Sequence, residues 1–114
     1  YITDFNLVER YREIFNVDAV SFKYTKKYKL AIMGDVLEHL SIEDAKTILT
    51  ALRKAKISVI VQVPYEYEQG VYDGNENEIH IQDDLTHDLF LERYAEFGFS
   101  FLQEDAICGA YYII

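Results

Sequence analysis

Asp35, Glu38 and His39 stand directly behind a short apolar run, Leu30-Ala31-Ile32-Met33, that closes at Gly34-Asp35. Such a run, bounded by turn and cap signals, reads as a strand covered on both faces, as in a parallel sheet. Ligands of those sheets sit outside the carboxyl ends of the strands, which is where this polar cluster falls. A carboxylate can accept several hydrogen bonds, and a histidine, which titrates near neutrality, can take a proton. Other chemistries find less support. The three histidines, His39, His80 and His87, lack the tight spacing of a metal motif, and Asp83-Asp84 alone is a weak one, so no metal is expected. No serine or cysteine nucleophile motif occurs, and Cys108, in the apolar tail ICGAYYII, reads as a small core residue.

The elements that must position these residues follow in order. Tyr1 to Asp4 reads as the end of a strand already under way, and since the chain opens with Tyr1 rather than Met, upstream residues are expected. Asn6 to Phe15 carries Leu7, Tyr11, Ile14 and Phe15 on one helical face. Val17 to Phe22 can form a short strand, and Lys23 to Lys29 a basic loop. After the central strand, Ser41 caps a helix whose first turn holds Glu43 and Asp44, whose stripe is Ile42, Ala45, Ile48, Leu49 and Leu52, and whose end is basic. Ile57 to Val63 is a β-branched run closed by Pro64, the only proline; two apolar strands around a helix make a right-handed parallel βαβ unit. Tyr65 to Asp84 is a long polar and aromatic loop, of the length that marks functional lids. Thr86 caps a helix running to about Glu96, with Leu89, Phe90 and Phe97 inward. Phe99 to Leu102 and Ile107 to Ile114 read as a final antiparallel pair.

Composition narrows the partners. Half of the residues are apolar without a long apolar run, so the chain reads as a single globular domain with no membrane span. The net charge is −9, and beyond Ile57 the only Lys or Arg is Arg93, so the acidic half supplies no nucleic-acid surface. One cysteine without a partner fits a reducing, cytoplasmic setting.

Three stretches in this order carry a likeness to a known family: Asp35-Val36-Leu37-Glu38-His39-Leu40 behind the central strand, Val61-Gln62-Val63-Pro64 closing the next, and Gly74-Asn75-Glu76-Asn77-Glu78-Ile79-His80 ahead of the following helix. From Tyr28 to Ile114 the chain resembles the later two-thirds of a class I S-adenosylmethionine-dependent methyltransferase. The resemblance implies an α/β fold over residues 1–114 with a Rossmann-like, mostly parallel sheet, an antiparallel C-terminal strand pair and an incomplete N-terminus. The family's glycine-rich strand-loop is missing: no glycine precedes Gly34. Without that strand the sheet would keep two unpaired internal edges, so a longer natural protein is expected, with association into a homo-oligomer as a further option.

The resemblance also implies roles. Asp4 would accept hydrogen bonds from the ribose hydroxyls of S-adenosyl-L-methionine, Asp18 would lie near its adenine amine, and Gly34, Asp35 and Val36 would line the pocket under its methionine part. His39 and His80 would stand near the pocket mouth as candidate general bases for a small-molecule acceptor, with Glu38, Tyr65, Tyr67 and Tyr72 on the acceptor side. The ordinary structural alternatives are a helix-start histidine at 39, held by Glu38 or backbone, and a loop-anchoring histidine at 80. Two further readings stay open: a non-catalytic domain of this kind that binds a protein, and a doubly wound enzyme using a nucleotide or nicotinamide.

Overall fold

The computed structural model describes residues 6–113. Four strands, β1 (Leu30–Gly34), β2 (Ser58–Pro64), β3 (Ser100–Glu104) and β4 (Cys108–Ile113), form one sheet in the order β1-β2-β4-β3. Two α-helices accompany it among the described residues, α1 (Ile42–Lys54) and α2 (His87–Arg93), with short 3₁₀ turns at Leu7–Glu9, Leu37–His39, Glu76–Glu78 and Ala95–Phe97.

The β1-α1-β2 unit follows directly from local chemistry. The Ser41 hydroxyl accepts the Asp44 amide at 3.1 Å, Glu43 and Asp44 face the positive end of the helix dipole, and Arg53 and Lys54 face the negative end. Ala45, Ile48, Leu49 and Leu52 are buried, whereas Ile42 at the start of the stripe is exposed. The helix returns the chain so that β2 runs parallel to β1, with Leu30 opposite Ser58 and Gly34 opposite Gln62. Thr86 caps α2 in the same way, through the Leu89 amide at 3.1 Å.

Burial along β2 alternates. Val59, Val61 and Val63 are fully buried, and with Met33, Tyr111, the buried residues of α1, Phe90 of α2 and Tyr94 just beyond it they form one core. Phe90 stacks on Tyr111 with ring centroids 4.0 Å apart, which docks α2 onto β4. The opposite face is open: Leu30 is 50% and Ile32 72% exposed.

This arrangement overturns the expected Rossmann-like, mostly parallel sheet. Only β1 and β2 pair in parallel; β4 pairs antiparallel with both β2 and β3. A doubly wound sheet needs repeated crossover units that put helices on both faces. Here residues 30–64 hold a single such unit, and both α-helices belong to one core on one face. The strand expected to be covered on both faces is thus an edge strand covered on one.

The described segment before β1 forms no second unit. Asn6 to Phe15 yields one 3₁₀ turn rather than a helix, with Val8, Tyr11 and Phe15 more than half exposed. Short amphipathic helices need a packed partner for that face. Val17 to Phe22 is a turn, in which the Asp18 carboxylate accepts the Val20 amide at 2.8 Å and the Asp18 carbonyl accepts the Ser21 amide. Its aromatic residues cluster locally, Phe22 meeting Phe15 and Tyr24 edge-on at 5.1 Å.

One glycine is required by close approach. A Cβ on Gly109 in β4 would collide with the Tyr65 hydroxyl and stand 2.8 Å from that of Tyr111, and those two hydroxyls hydrogen-bond to each other. Gly109→Ala is expected to displace the Tyr65 ring and destabilise the domain by about 1–3 kcal/mol. Urea denaturation followed by far-UV circular dichroism measures this; an unchanged midpoint would mean the ring yields freely.

Candidate functional site

Beyond β1 the chain reverses at Asp35, which adopts a left-handed conformation (φ 51°) and donates its amide to the Gln62 carbonyl at 3.2 Å. Gly34, Asp35 and Val36 are exposed at this strand end. The next residues close a 3₁₀ turn in which the side chains of Leu37 and Glu38 are fully buried and His39 is partly so. An apolar residue beside a carboxylate in one buried turn is chemically unequal: Leu37 joins the core, while Glu38 must find polar company.

The long loop after β2 comes back onto this turn. The amides of Ile81 and Gln82 both donate to the Glu38 carbonyl at 2.9 Å. The buried Gln82 side chain donates to the carbonyls of Leu37 at 3.0 Å and Leu40 at 2.9 Å. Its own oxygen accepts the Tyr94 hydroxyl at 2.6 Å and an Arg93 guanidinium N–H at 3.2 Å. Arg93 in turn holds both oxygens of Asp84, at 3.1 and 2.8 Å. The loop, the 3₁₀ turn and α2 are therefore joined through one amide.

This docking brings two histidines together. His39 Nδ1 lies 3.2 Å from the Ile79 carbonyl, and His80 Nδ1 2.8 Å from the Tyr67 carbonyl. A carbonyl oxygen only accepts, so each Nδ1 carries the proton and donates it, leaving each Nε2 with a free lone pair in the neutral ring. The rings meet edge to face with centroids 4.6 Å apart. Glu38 Oε1 stands 3.7 Å from His39 Nε2, and Glu38, His39 and His80 each offer a ligand-capable atom, all within 4.8 Å of one another. Both Glu38 carboxylate oxygens are buried and accept no hydrogen bond from the protein; among the described residues they are the buried side-chain polar atoms in that condition. Burial pushes the Glu38 carboxyl above the usual carboxylate range; its own backbone amide and then His39 oppose the effect, and Asp35 adds to it.

The remaining expected residues are dispersed. Asp4 lies outside the described residues. Asp18 is exposed in its turn and stands at no strand end. Tyr67 joins the site through its carbonyl and through a ring contact with His80 at 5.2 Å, whereas Tyr72 is exposed and bridges to Asn75. Tyr65 points instead into a second polar group: its hydroxyl bonds that of Tyr111, which also contacts His87 Nδ1 at 3.0 Å, with Glu104 3.4 Å from Tyr65. Both histidine alternatives raised by the sequence are realised as backbone anchors, and these anchors are what free the Nε2 atoms.

Residue spacing alone does not join Glu38, His39 and His80, because His80 arrives on a separate loop; only the family resemblance set them at one pocket mouth. Two features carry no sequence signal. Gln82 carries no signature, since a glutamine among acids reads as loop surface. The Tyr111–His87 contact depends on how α2 lies on β4. No protein-family model matches the chain, and no curated protein matches it.

Replacing Gln82 by Leu is expected to cost about 2–4 kcal/mol, because several buried partners lose their bonds together. Chemical denaturation checks it, and a loss below that of an ordinary surface substitution would remove Gln82 as the hub. A second outcome concerns alkali. Burial raises the Tyr94 hydroxyl to about 12, with the Gln82 bond opposing. Since the folded value exceeds the unfolded value near 10, this stability is fully present below pH ~10 and lost as pH rises towards ~12, about 2–3 kcal/mol in all. Tyr94→Phe should lack this component, which stability curves between those pH values would reveal.

Proposed function

We propose that this chain serves methyl transfer from S-adenosylmethionine to a small-molecule or other non-nucleic acceptor, with the end of β1 facing the cofactor and Glu38, His39 and His80 facing the acceptor. The observation that carries the reading is the pair of free Nε2 lone pairs beside a buried carboxylate at a strand's carboxyl end. The Asp35-Val36-Leu37-Glu38-His39-Leu40 stretch that bears the family resemblance is the stretch that builds this group.

When bound, the cofactor supplies a sulfonium methyl whose displacement leaves a neutral thioether, so its leaving group needs no acid. What the protein must then do is align the acceptor and receive its proton. A histidine Nε2 whose ring is fixed through Nδ1 is oriented for that transfer. The strand end has room for a ligand against backbone: a Cβ on Gly34 would meet nothing within 4 Å, and Gly34 is exposed. Tyr67 offers an aromatic surface beside His80 for the acceptor.

Calorimetric titration with S-adenosylhomocysteine, into this chain and into the longest natural form containing it, is the direct test. Saturable one-to-one binding is expected, and a folded sample that binds none overturns the reading in favour of a protein-binding domain. Gly34→Val should leave the melting temperature nearly unchanged yet weaken that binding by about tenfold or more, because a side chain would fill the space a ligand needs against the backbone.

A further inference from the structure

We propose that Glu38, His39 and His80 form a binding site for a divalent transition-metal ion of the zinc class, held by the two Nε2 atoms and a Glu38 oxygen. The proposal goes beyond the reading of this site and does not require methyl transfer: the ion would be held by protein atoms alone, and while bound it would occupy the Nε2 lone pairs that otherwise receive a proton.

The first support is the state of Glu38. A carboxylate taken out of water needs hydrogen bonds or a cation, and protein structures rarely leave one with neither. Both Glu38 oxygens are buried and accept no hydrogen bond from the protein, and His39 Nε2, at 3.7 Å, carries no proton in the tautomer fixed by Ile79. A carboxylate and imidazole lone pairs held this close repel one another. A cation between them converts the repulsion into three bonds.

The second support is the outer shell. Metal-bound histidines characteristically donate their other ring N–H to a carbonyl or carboxylate, which fixes tautomer and ring orientation. Ile79 and Tyr67 provide that carbonyl for His39 and His80 respectively. The two anchors come from one loop, and that loop is itself fastened to the Glu38 carbonyl by the Ile81 and Gln82 amides. Ligands and outer shell are thus one hydrogen-bonded unit.

Geometry and ligand type select the ion. Bonds of about 2.0–2.1 Å to nitrogen and oxygen put neighbouring tetrahedral ligands ~3.3 Å apart. One ligand-capable atom from each of the three residues lies within 4.8 Å of the other two, and Glu38 Oε1 is 3.7 Å from His39 Nε2, so side-chain rotations can close the site. Two imidazoles and one carboxylate suit zinc and neighbouring first-row ions, whereas calcium and magnesium prefer all-oxygen shells. Three protein ligands leave a coordination position open, where an acceptor oxygen could be polarised.

The test is titration of zinc chloride into the metal-free full chain, without S-adenosylmethionine, by calorimetry. One equivalent should bind saturably. His39→Ala and His80→Ala should each weaken binding by more than the ~10–100-fold that losing an outer-shell partner costs. Nitrogen-15 NMR of the unmutated chain supplies a readout that does not depend on a variant folding. It should show Nδ1–H tautomers at His39 and His80, with both Nε2 resonances shifting on zinc addition. Absence of saturable binding, or binding retained in the His39→Ala/His80→Ala double variant and so owed to surface carboxylates, overturns the site. Nε2–H tautomers in the metal-free chain do the same. A chain that binds zinc but not S-adenosylhomocysteine keeps the site and loses the methyl-transfer reading; the reverse result keeps that reading and loses the site.

Discussion

The Gln82 side-chain amide is the joint on which the polar end of this domain depends. A loop that runs from residue 65 to residue 84 has little regular structure of its own, and its backbone groups need partners outside itself. Gln82 meets that need at both ends of its amide, donating to two carbonyls of the 37–40 turn and accepting from Arg93 at the end of α2 and from Tyr94 beyond it. An amide suits this position because it is neutral and can donate and accept at once, so burying it leaves no charge to balance. A glutamate here could not donate to Leu37 and Leu40, and an apolar residue could serve neither side.

Once that joint is made, the positions of His39 and His80 are consequences. The loop residues flanking Gln82 supply Ile79 to one ring and carry the other, and the Glu38 backbone takes the Ile81 and Gln82 amides. The Glu38 carboxylate does not share in this satisfaction. The structure therefore spends polar partners on the backbone of the turn and leaves the buried Glu38 carboxyl beside two histidine rings without a hydrogen-bond partner. Within an otherwise fully bonded region, that imbalance is the feature that marks a site rather than a core.

Legibility from sequence followed the range of the interactions. The caps at Ser41 and Thr86, the stripe of α1 and the antiparallel pairing of the last two strands depend on neighbours in the chain, and the sequence shows them. The sheet as a whole was misjudged. Ile57 to Val63 reads as one β-branched run, but its burial alternates because helices cover one face only. Leu30 and Ile32 read as doubly covered core and stand exposed on an edge strand. Nor does a helical stripe at Leu7, Tyr11, Ile14 and Phe15 make a helix without a surface to bury it. The polar site was half legible: Asp35, Glu38 and His39 declare themselves by adjacency, while His80 and Gln82 join them through a loop whose path no local pattern encodes.

A single parallel pair is enough to explain why the chemistry collects where it does. Because β1 and β2 run the same way, Gly34 and Pro64 end on one rim of the sheet. Because β4 runs against β2, Cys108 opposite Pro64 starts on that rim, and Glu104 at the end of β3 lies opposite Gly109 beside it. The rim thus gathers one end of each strand, with the irregular backbone that follows β1, β2 and β3 and precedes β4. Such ends supply unpaired peptide groups and freedom for polar side chains, which strand interiors lack. The Glu38-His39-His80 group forms at the β1 side of the rim, and the Tyr65–Tyr111–His87 group at the β4 side. Strand direction, more than the number of crossovers, delivers these residues to one end, so a strand-end site survives in a sheet that is not doubly wound.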